Sequence, residues 1–229
     1  MVLIIGGTIL LSACGSYTAD LISTETLTLP ASPPPSTATL TSTMAAAPTI
    51  TDSPIPTATW VQQGPGQVIV PIILYHRIDI SPINSQYYVP PENFERQMQL
   101  LRDWEYKTIT TEMLANAIRD GANLPPRPII ITFDDGHLDN YTQAFPIMQK
   151  YGLTAVVYVV GNYLGTEGYM NAEQVREMAA AGWEVGSHGV SHSALTQLDP
   201  QVLRHEVVDS RKTLEEKTGM PVLTFAYPF

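Results

Sequence analysis

Ile129-Ile130-Ile131-Thr132-Phe133-Asp134-Asp135-Gly136 decides the reading of this chain. A run of β-branched and aromatic residues that stops at two adjacent carboxylates and a glycine predicts a buried strand delivering acid groups to its C-terminal end. In α/β folds that end is where the chemistry sits. Further along, His188-Gly189-Val190-Ser191-His192 follows the strand-like Trp183-Glu184-Val185-Gly186-Ser187, so both motifs are expected on the same face of one sheet. The spacing of His188 and His192 predicts two imidazoles on one side of a helical turn, within reach of one metal ion. With the carboxylates they make an Asp/His/His set and one spare acid. Each motif also has a plainer reading: a turn whose carboxylates accept backbone hydrogen bonds, and histidines that are satisfied polar groups at a helix end.

Around these motifs the chain alternates strand and helix. Residues 68–75 read as an apolar strand, and residues 91–102 as a helix with Phe94, Met98 and Leu101 at helical spacing and proline in its first turn. A short helix over 111–119 has Thr110 or Thr111 as its cap. After the strand at 128–133 comes a helix over 138–151, which Pro146 should bend or restart. A strand at 153–160 follows. Asn171 caps a helix that runs to about Ala181 and stops at Gly182. After the strand at 183–187, Asp199-Pro200 opens a helix to about Lys217, stopped by Gly219, and residues 222–226 begin another strand. This alternation predicts a parallel sheet with crossover helices, either an open sheet or a barrel.

All 12 basic residues lie from Arg77 onward, and the net charge is −10. Such a balance argues against nucleic acid, whose binding needs a basic face, and is compatible with a neutral polymer as substrate. Residues 1–13 form an apolar segment too short to span a bilayer but suited to a secretory signal. It ends in Leu11-Ser12-Ala13-Cys14, which resembles the lipobox of bacterial lipoproteins, in which Cys14 is lipidated and becomes the new N-terminus. The segment departs from that pattern in lacking a positively charged start, and a free cysteine is the alternative. With one cysteine an intramolecular disulfide is excluded. The division expected is a signal peptide with lipobox over 1–14, a disordered Thr/Ser/Pro-rich linker over 15–66 that cannot bury enough apolar surface to order itself, and a globular domain over 67–229. The linker would hold the domain away from the membrane to which Cys14 is anchored, which places the protein outside the cell as an exported lipoprotein.

Four segments, Ile73-Leu74-Tyr75-His76-Arg77, Thr132-Phe133-Asp134-Asp135-Gly136, Ser187-His188-Gly189-Val190-Ser191-His192 and Phe225-Ala226-Tyr227-Pro228-Phe229, resemble in order and spacing the motifs of the polysaccharide deacetylase family, the NodB-homology domain of carbohydrate esterase family 4. The resemblance covers residues 68–229. It implies a distorted (β/α) barrel and metal-dependent hydrolytic removal of acetyl groups from an N-acetylated, GlcNAc-containing polysaccharide. By the same resemblance Asp134 is the general base, Asp135, His188 and His192 are ligands of Zn2+ or another divalent transition metal, and the main-chain N–H of Phe229 stabilises the oxyanion. His76 and Tyr227 would line the substrate site.

Two departures qualify the match. Where many members carry an arginine paired with the base, this chain has Ala226, as in the members that act on poly-N-acetylglucosamine-like polymers. The family's acid, a histidine in a late Leu-x-His-Asp-like motif, has no counterpart before Phe229, so the barrel is expected to be incomplete at its C-terminus. His137, expected to cap the Asp-Asp-Gly turn, and His205, expected on an exposed helix face, do not replace it. A non-catalytic carbohydrate-binding surface lipoprotein, or an inactive fragment lacking the acid, is the alternative reading.

Overall fold

The computed structural model describes Gln62, Gln63 and residues 65–229. The expected signal peptide, Cys14 with its lipobox and most of the expected linker lie outside these residues. In chain order the elements are β1 (Gln62–Gln63), β2 (Ile72–Tyr75), α1 (Pro91–Asp103), β3 (Lys107–Thr108), α2 (Thr111–Asp120), β4 (Ala122–Asn123), β5 (Pro128–Phe133), α3 (Phe145–Lys150), β6 (Val156–Val159), α4 (Ala172–Ala180), β7 (Glu184–Ser187), α5 (Pro200–Arg204) and α6 (Ser210–Thr218). None of these helices is long and apolar enough to cross a membrane. β1 pairs antiparallel with β4, so Gln62 and Gln63, inside the stretch assigned to the linker, are part of a two-stranded sheet.

The expected α/β class is the one found. Four strands lie parallel in the order β2-β5-β6-β7, with Tyr75 opposite Phe133, Phe133 opposite Val157 and Val159 opposite Ser187. β3 pairs with the first residues of β5. Successive side chains on a strand point to opposite faces, and here the two faces meet different layers. Ile129, Ile131 and Phe133 of β5, Val157 and Val159 of β6 and Val185 of β7 pack into the larger core, together with Phe94, Met98 and Leu101 of α1 and Val175 and Met178 of α4. Phe133 is its aromatic centre, with its ring 5.4 Å from Tyr75, 5.3 Å from Trp183 and 5.8 Å from Phe94. Each such pair contributes about 0.5–1.5 kcal/mol beyond area burial.

The other face carries Ile130, Val156 and Tyr158, packed against Ile109, Ala117 and Leu124. On the same face of β2, Ile72 and Leu74 are exposed. Gly186 of β7 lies against the Tyr158 ring, and a Cβ there would come within 2.4 Å of it.

Local signals explain the element ends. Thr110 caps α2 by accepting from the Met113 N–H, and Asn171 caps α4 in a reciprocal capping box with Gln174. Gly219, at φ 68°, ends α6 in the left-handed conformation that glycine adopts without a steric penalty.

Two expected helices each contain a π turn that the spacing does not announce, and one expected strand needs correction. The helix expected over 138–151 runs from residue 138 to Lys150, with a π turn, Asn140–Ala144, leading into α3, which has Pro146 in its first turn, so the expected restart at Pro146 is found. Proline has no N–H to donate and its ring clashes with a carbonyl one turn back, so the wider turn accommodates it. The helix expected from Asp199-Pro200 to Lys217 runs from Pro200 to Thr218 and stops at Gly219, with a second π turn, His205–Asp209, inside it. Residues 222–226 form one parallel bridge, Ser187 with Phe225, rather than a strand. The Ala226 N–H donates to the Ser187 carbonyl at 2.9 Å, which fixes the end of this segment against β7.

Candidate active site

The site forms where β5 and β7 end. The Asp134 N–H still donates to the Tyr75 carbonyl of β2 at 3.0 Å, so Asp134 leaves the sheet in strand register. Asp135 and Gly136 then adopt φ of 72° and 77°, a sharp reversal of the chain at the strand end. Aspartate tolerates the left-handed region better than most residues. At Gly136 a Cβ would lie 3.3 Å from the Val159 side chain, so glycine suits both the conformation and the space.

His188 leaves β7 directly and is almost fully buried. Its Nδ1 lies 3.0 Å from the Ala226 carbonyl oxygen, and its Nε2 is 3.6 Å from Asp135 Oδ1 and 3.9 Å from Asp134 Oδ2. His192 Nε2 lies 3.1 Å from Asp135 Oδ1. One ligand atom from each of Asp135, His188 and His192 falls within 4.8 Å of the others. The two histidines do not share a helical turn: residues 188–193 are a loop, with Gly189 at φ 85° and His192 at φ 61°. That corrects the expected helical geometry while keeping the convergence.

The residues present fit a divalent cation. Asp135 Oδ1 and Asp134 Oδ1 are buried without a hydrogen-bond partner, and the first of them faces both imidazoles. A buried carboxylate oxygen left in that state costs free energy unless a cation or water meets it. Electrostatics separates the two acids. Burial, followed by the Asp135 carboxylate next to it, pushes the Asp134 carboxyl up to about 7. Burial also opposes ionisation of Asp135, but the contact with His137 and the charges of His137, His192 and His188 outweigh it and hold Asp135 below its ordinary value. Burial lowers the pKa of His188, which favours the neutral imidazole that a metal requires.

A cleft of about 570 Å³ opens over this cluster. Every site residue named from the described part of the chain lines it: His76, Asp134, Asp135, His188, His192, Tyr227 and Phe229. The His76 ring lies 4.8 Å from Tyr87, and the exposed Phe229 ring lies 4.9 Å from His192. Arg77, Tyr87, Tyr88 and His137 line the cleft as well and were not singled out as site residues. His137 does more than cap a turn. Its Nε2 lies 3.2 Å from Asp135 Oδ2, and its ring stacks on Tyr169 at 4.9 Å. His205 is exposed on its turn and paired with Asp209, away from the cleft lining.

Two buried acids were missed by sequence reasoning. Asp139 receives Arg77 Nε at 2.5 Å and the Ile78 N–H at 2.8 Å, joining the chain after β2 to the chain after β5. Glu206 is 3 % exposed and receives N–H groups from Val190 and Ser191. The signal for Glu206 was available: it shares an i, i+4 stripe with Ser210, Leu214 and Thr218, all buried, and a carboxylate on a core stripe needs a partner.

Comparisons with known proteins agree with this geometry. Residues 121–229 match the family described as polysaccharide deacetylase. The chain is 33% identical over 173 residues to YxkH of Bacillus subtilis (strain 168), which bears a polysaccharide deacetylase name, covering 75% of this chain and 60% of YxkH. It is 26% identical over 159 residues to the poly-beta-1,6-N-acetyl-D-glucosamine N-deacetylase of Staphylococcus aureus (strain MSSA476), covering 63% of this chain and 54% of that protein. Among solved structures, the Streptococcus pyogenes deacetylase PplD in complex with acetate superposes with a TM-score of 0.66 at 28% identity, over 74% of this chain and 75% of PplD. The chain thus spans between half and two thirds of the two curated relatives. With the ordered motifs, the parallel sheet and the clustered acids and imidazoles all in agreement, residues 121–229 carry the domain of the polysaccharide deacetylase family, and the chain around them is similar to proteins that bear that name.

Proposed function

We propose that this protein hydrolyses acetyl groups from an N-acetylated, GlcNAc-containing polysaccharide at the cleft above β5 and β7. One observation carries the reading: three ligand atoms converge beside a second buried carboxylate that has an unpartnered oxygen. Asp135, His188 and His192 would hold a divalent metal, with zinc suited to one carboxylate and two imidazoles and to an open coordination position. Such an ion, when bound, polarises the acetyl carbonyl and lowers the pKa of a water.

This chain's own residues do the rest. Asp134 Oδ1, buried and without a donor, accepts the proton from the attacking water. Asp135 keeps its charge against burial because the contact with His137 favours the carboxylate. The main-chain N–H of Phe229, at the rim beside His192, donates to the developing oxyanion. His76 and the exposed Tyr227 offer ring faces to the sugar, which suits a neutral polymer better than a charged one. Cys14 would anchor the protein by lipid, with the Thr/Ser/Pro-rich stretch holding the domain outside the cell.

Replacing Asp134 by Asn tests the assignment. Acetate release from poly-N-acetylglucosamine should fall to background while metal stays bound, and unchanged turnover would remove Asp134 from the role. A second reading, carbohydrate binding without hydrolysis, is favoured by Ala226, which leaves Asp134 with no cationic side chain from that motif. It predicts saturable glycan binding with no acetate released when metal is supplied.

A further inference from the structure

The loop between His188 and His192 is built around a carboxylate to which neither the family motifs nor the sequence reading gives a role. Glu206 Oε2 accepts from the Val190 N–H at 2.7 Å and from the Ser191 N–H at 3.0 Å, and Oε1 accepts from the Ser191 hydroxyl. All three donors belong to residues that separate the two imidazoles. Two successive main-chain N–H groups turned onto one oxygen form a concave anion site, and here the anion is a side chain of the protein itself.

The approach is close enough to dictate the sequence. A Cβ on Gly189 would come within 2.8 Å of Glu206 Oε2, and Gly189 also needs its φ of 85°. Glu206 lies in the π turn His205–Asp209, one turn before Ser210, whose hydroxyl is 2.7 Å from that of Ser187 at the end of β7. The Gly189 N–H donates to the same Ser187 hydroxyl at 3.2 Å. On the other side, the Gly161 and Asn162 N–H groups donate to the carbonyls of Gly189 and Val190, each at 2.9 Å. The loop is therefore clamped between the end of β6 and the helix carrying Glu206.

We propose that Glu206 is a positioning residue for the metal centre, its carboxylate setting the conformation of residues 189–191 so that His188 and His192 converge on Asp135. The inference rests on the reading of Asp135, His188 and His192 as a metal site. Glu206 itself touches neither the imidazoles nor the cleft, so it acts through the main chain.

The test is titration of metal-free protein with Zn2+ and with Co2+, whose visible absorption reports ligand geometry, for the wild type and for Glu206→Ala, Glu206→Gln and Ser191→Ala, alongside the Tm of each metal-free form. Loss of an outer partner of a metal ligand typically weakens affinity about 10- to 100-fold, and that is the loss expected for E206A, with an altered Co2+ spectrum. E206Q should lose much less, because its amide oxygen still accepts from Val190 and Ser191. E206A with unchanged affinity and spectrum overturns the proposal. So does E206Q with the full E206A loss, since charge rather than loop geometry would then be the operative property. If E206A fails to fold, S191A decides: removing one hydroxyl should weaken Co2+ binding several-fold with little change in Tm, and unchanged binding overturns the proposal. A wild-type protein that takes up no stoichiometric metal overturns the metal-site reading itself, an outcome distinct from any difference among variants.

Discussion

His188 donates from Nδ1 to the main-chain oxygen of Ala226 across 3.0 Å. A carbonyl oxygen can only accept, so Nδ1 carries the hydrogen and Nε2 presents its lone pair toward Asp135 Oδ1. The tautomer a metal ligand needs is thus fixed by a backbone atom, and substituting the Ala226 side chain leaves that contact in place.

Metal removal gives the first prediction. Dialysis against a strong chelator should abolish acetate release, and re-addition of a divalent transition metal should restore it. Full turnover by protein shown by elemental analysis to be metal-free would end the metal-dependent reading.

His137→Phe keeps an aromatic ring to stack on Tyr169 but removes the group next to Asp135 Oδ2. Metal affinity should fall by about 10- to 100-fold, the usual cost of losing such a partner. The Tm of the metal-free protein should barely move. A calorimetric metal titration indistinguishable from wild type would show that His137 has no part in holding the carboxylate.

Gly186→Ala drives a methyl group into the Tyr158 ring and toward Thr224 Oγ1, 2.4 and 2.9 Å from the new Cβ. Overpacking of this kind costs about 1–3 kcal/mol. Denaturant melts should show that loss, and Tyr158→Val in the same chain should make the two effects non-additive, because the smaller side chain clears the space. Strict additivity would locate the damage elsewhere.

Asn171→Ala removes a capping box at the start of α4 without touching the cleft. The expected cost is about 1 kcal/mol of stability, read as a lower denaturation midpoint at unchanged slope, with metal affinity unaffected. A change in metal binding would mean that α4 is coupled to the site in a way its contacts do not suggest.

Much of the fold was legible because its signals are local. The Ile129-Ile130-Ile131 run, the caps at Thr110 and Asn171 and the stop at Gly219 each state a backbone preference within a few residues. The identities of the clustered residues were legible too, since strand ends carry them to one rim. What sequence concealed depends on distant partners. A four-residue histidine spacing fits a helical turn as well as a loop, and the loop wins here because Glu206 and Gly161 bind its backbone from either side. Pro146 signalled a disturbance in the helix over 138–150, which the π turn before it takes up, while the π turn at Glu206 is visible only once its target is known. Residues 222–226 read as a strand from composition, yet they engage β7 through a single bridge.

Strand β6 supplies none of the three clustered ligands, yet it lies between the two strands that do. Neighbouring strands sit about 4.8 Å apart, so β5 and β7 are held at roughly twice that separation by the width of β6. Its last residues reach both sides: the Val159 carbonyl takes the His188 N–H at 3.0 Å, and the Val159 side chain closes against Gly136. β6 is thus the gauge block of the site, setting the span that Asp135 and the imidazoles must bridge. Changes at Val159 or Gly161, which are not among the three clustered ligand residues, would alter that span while leaving Asp135, His188 and His192 themselves in place.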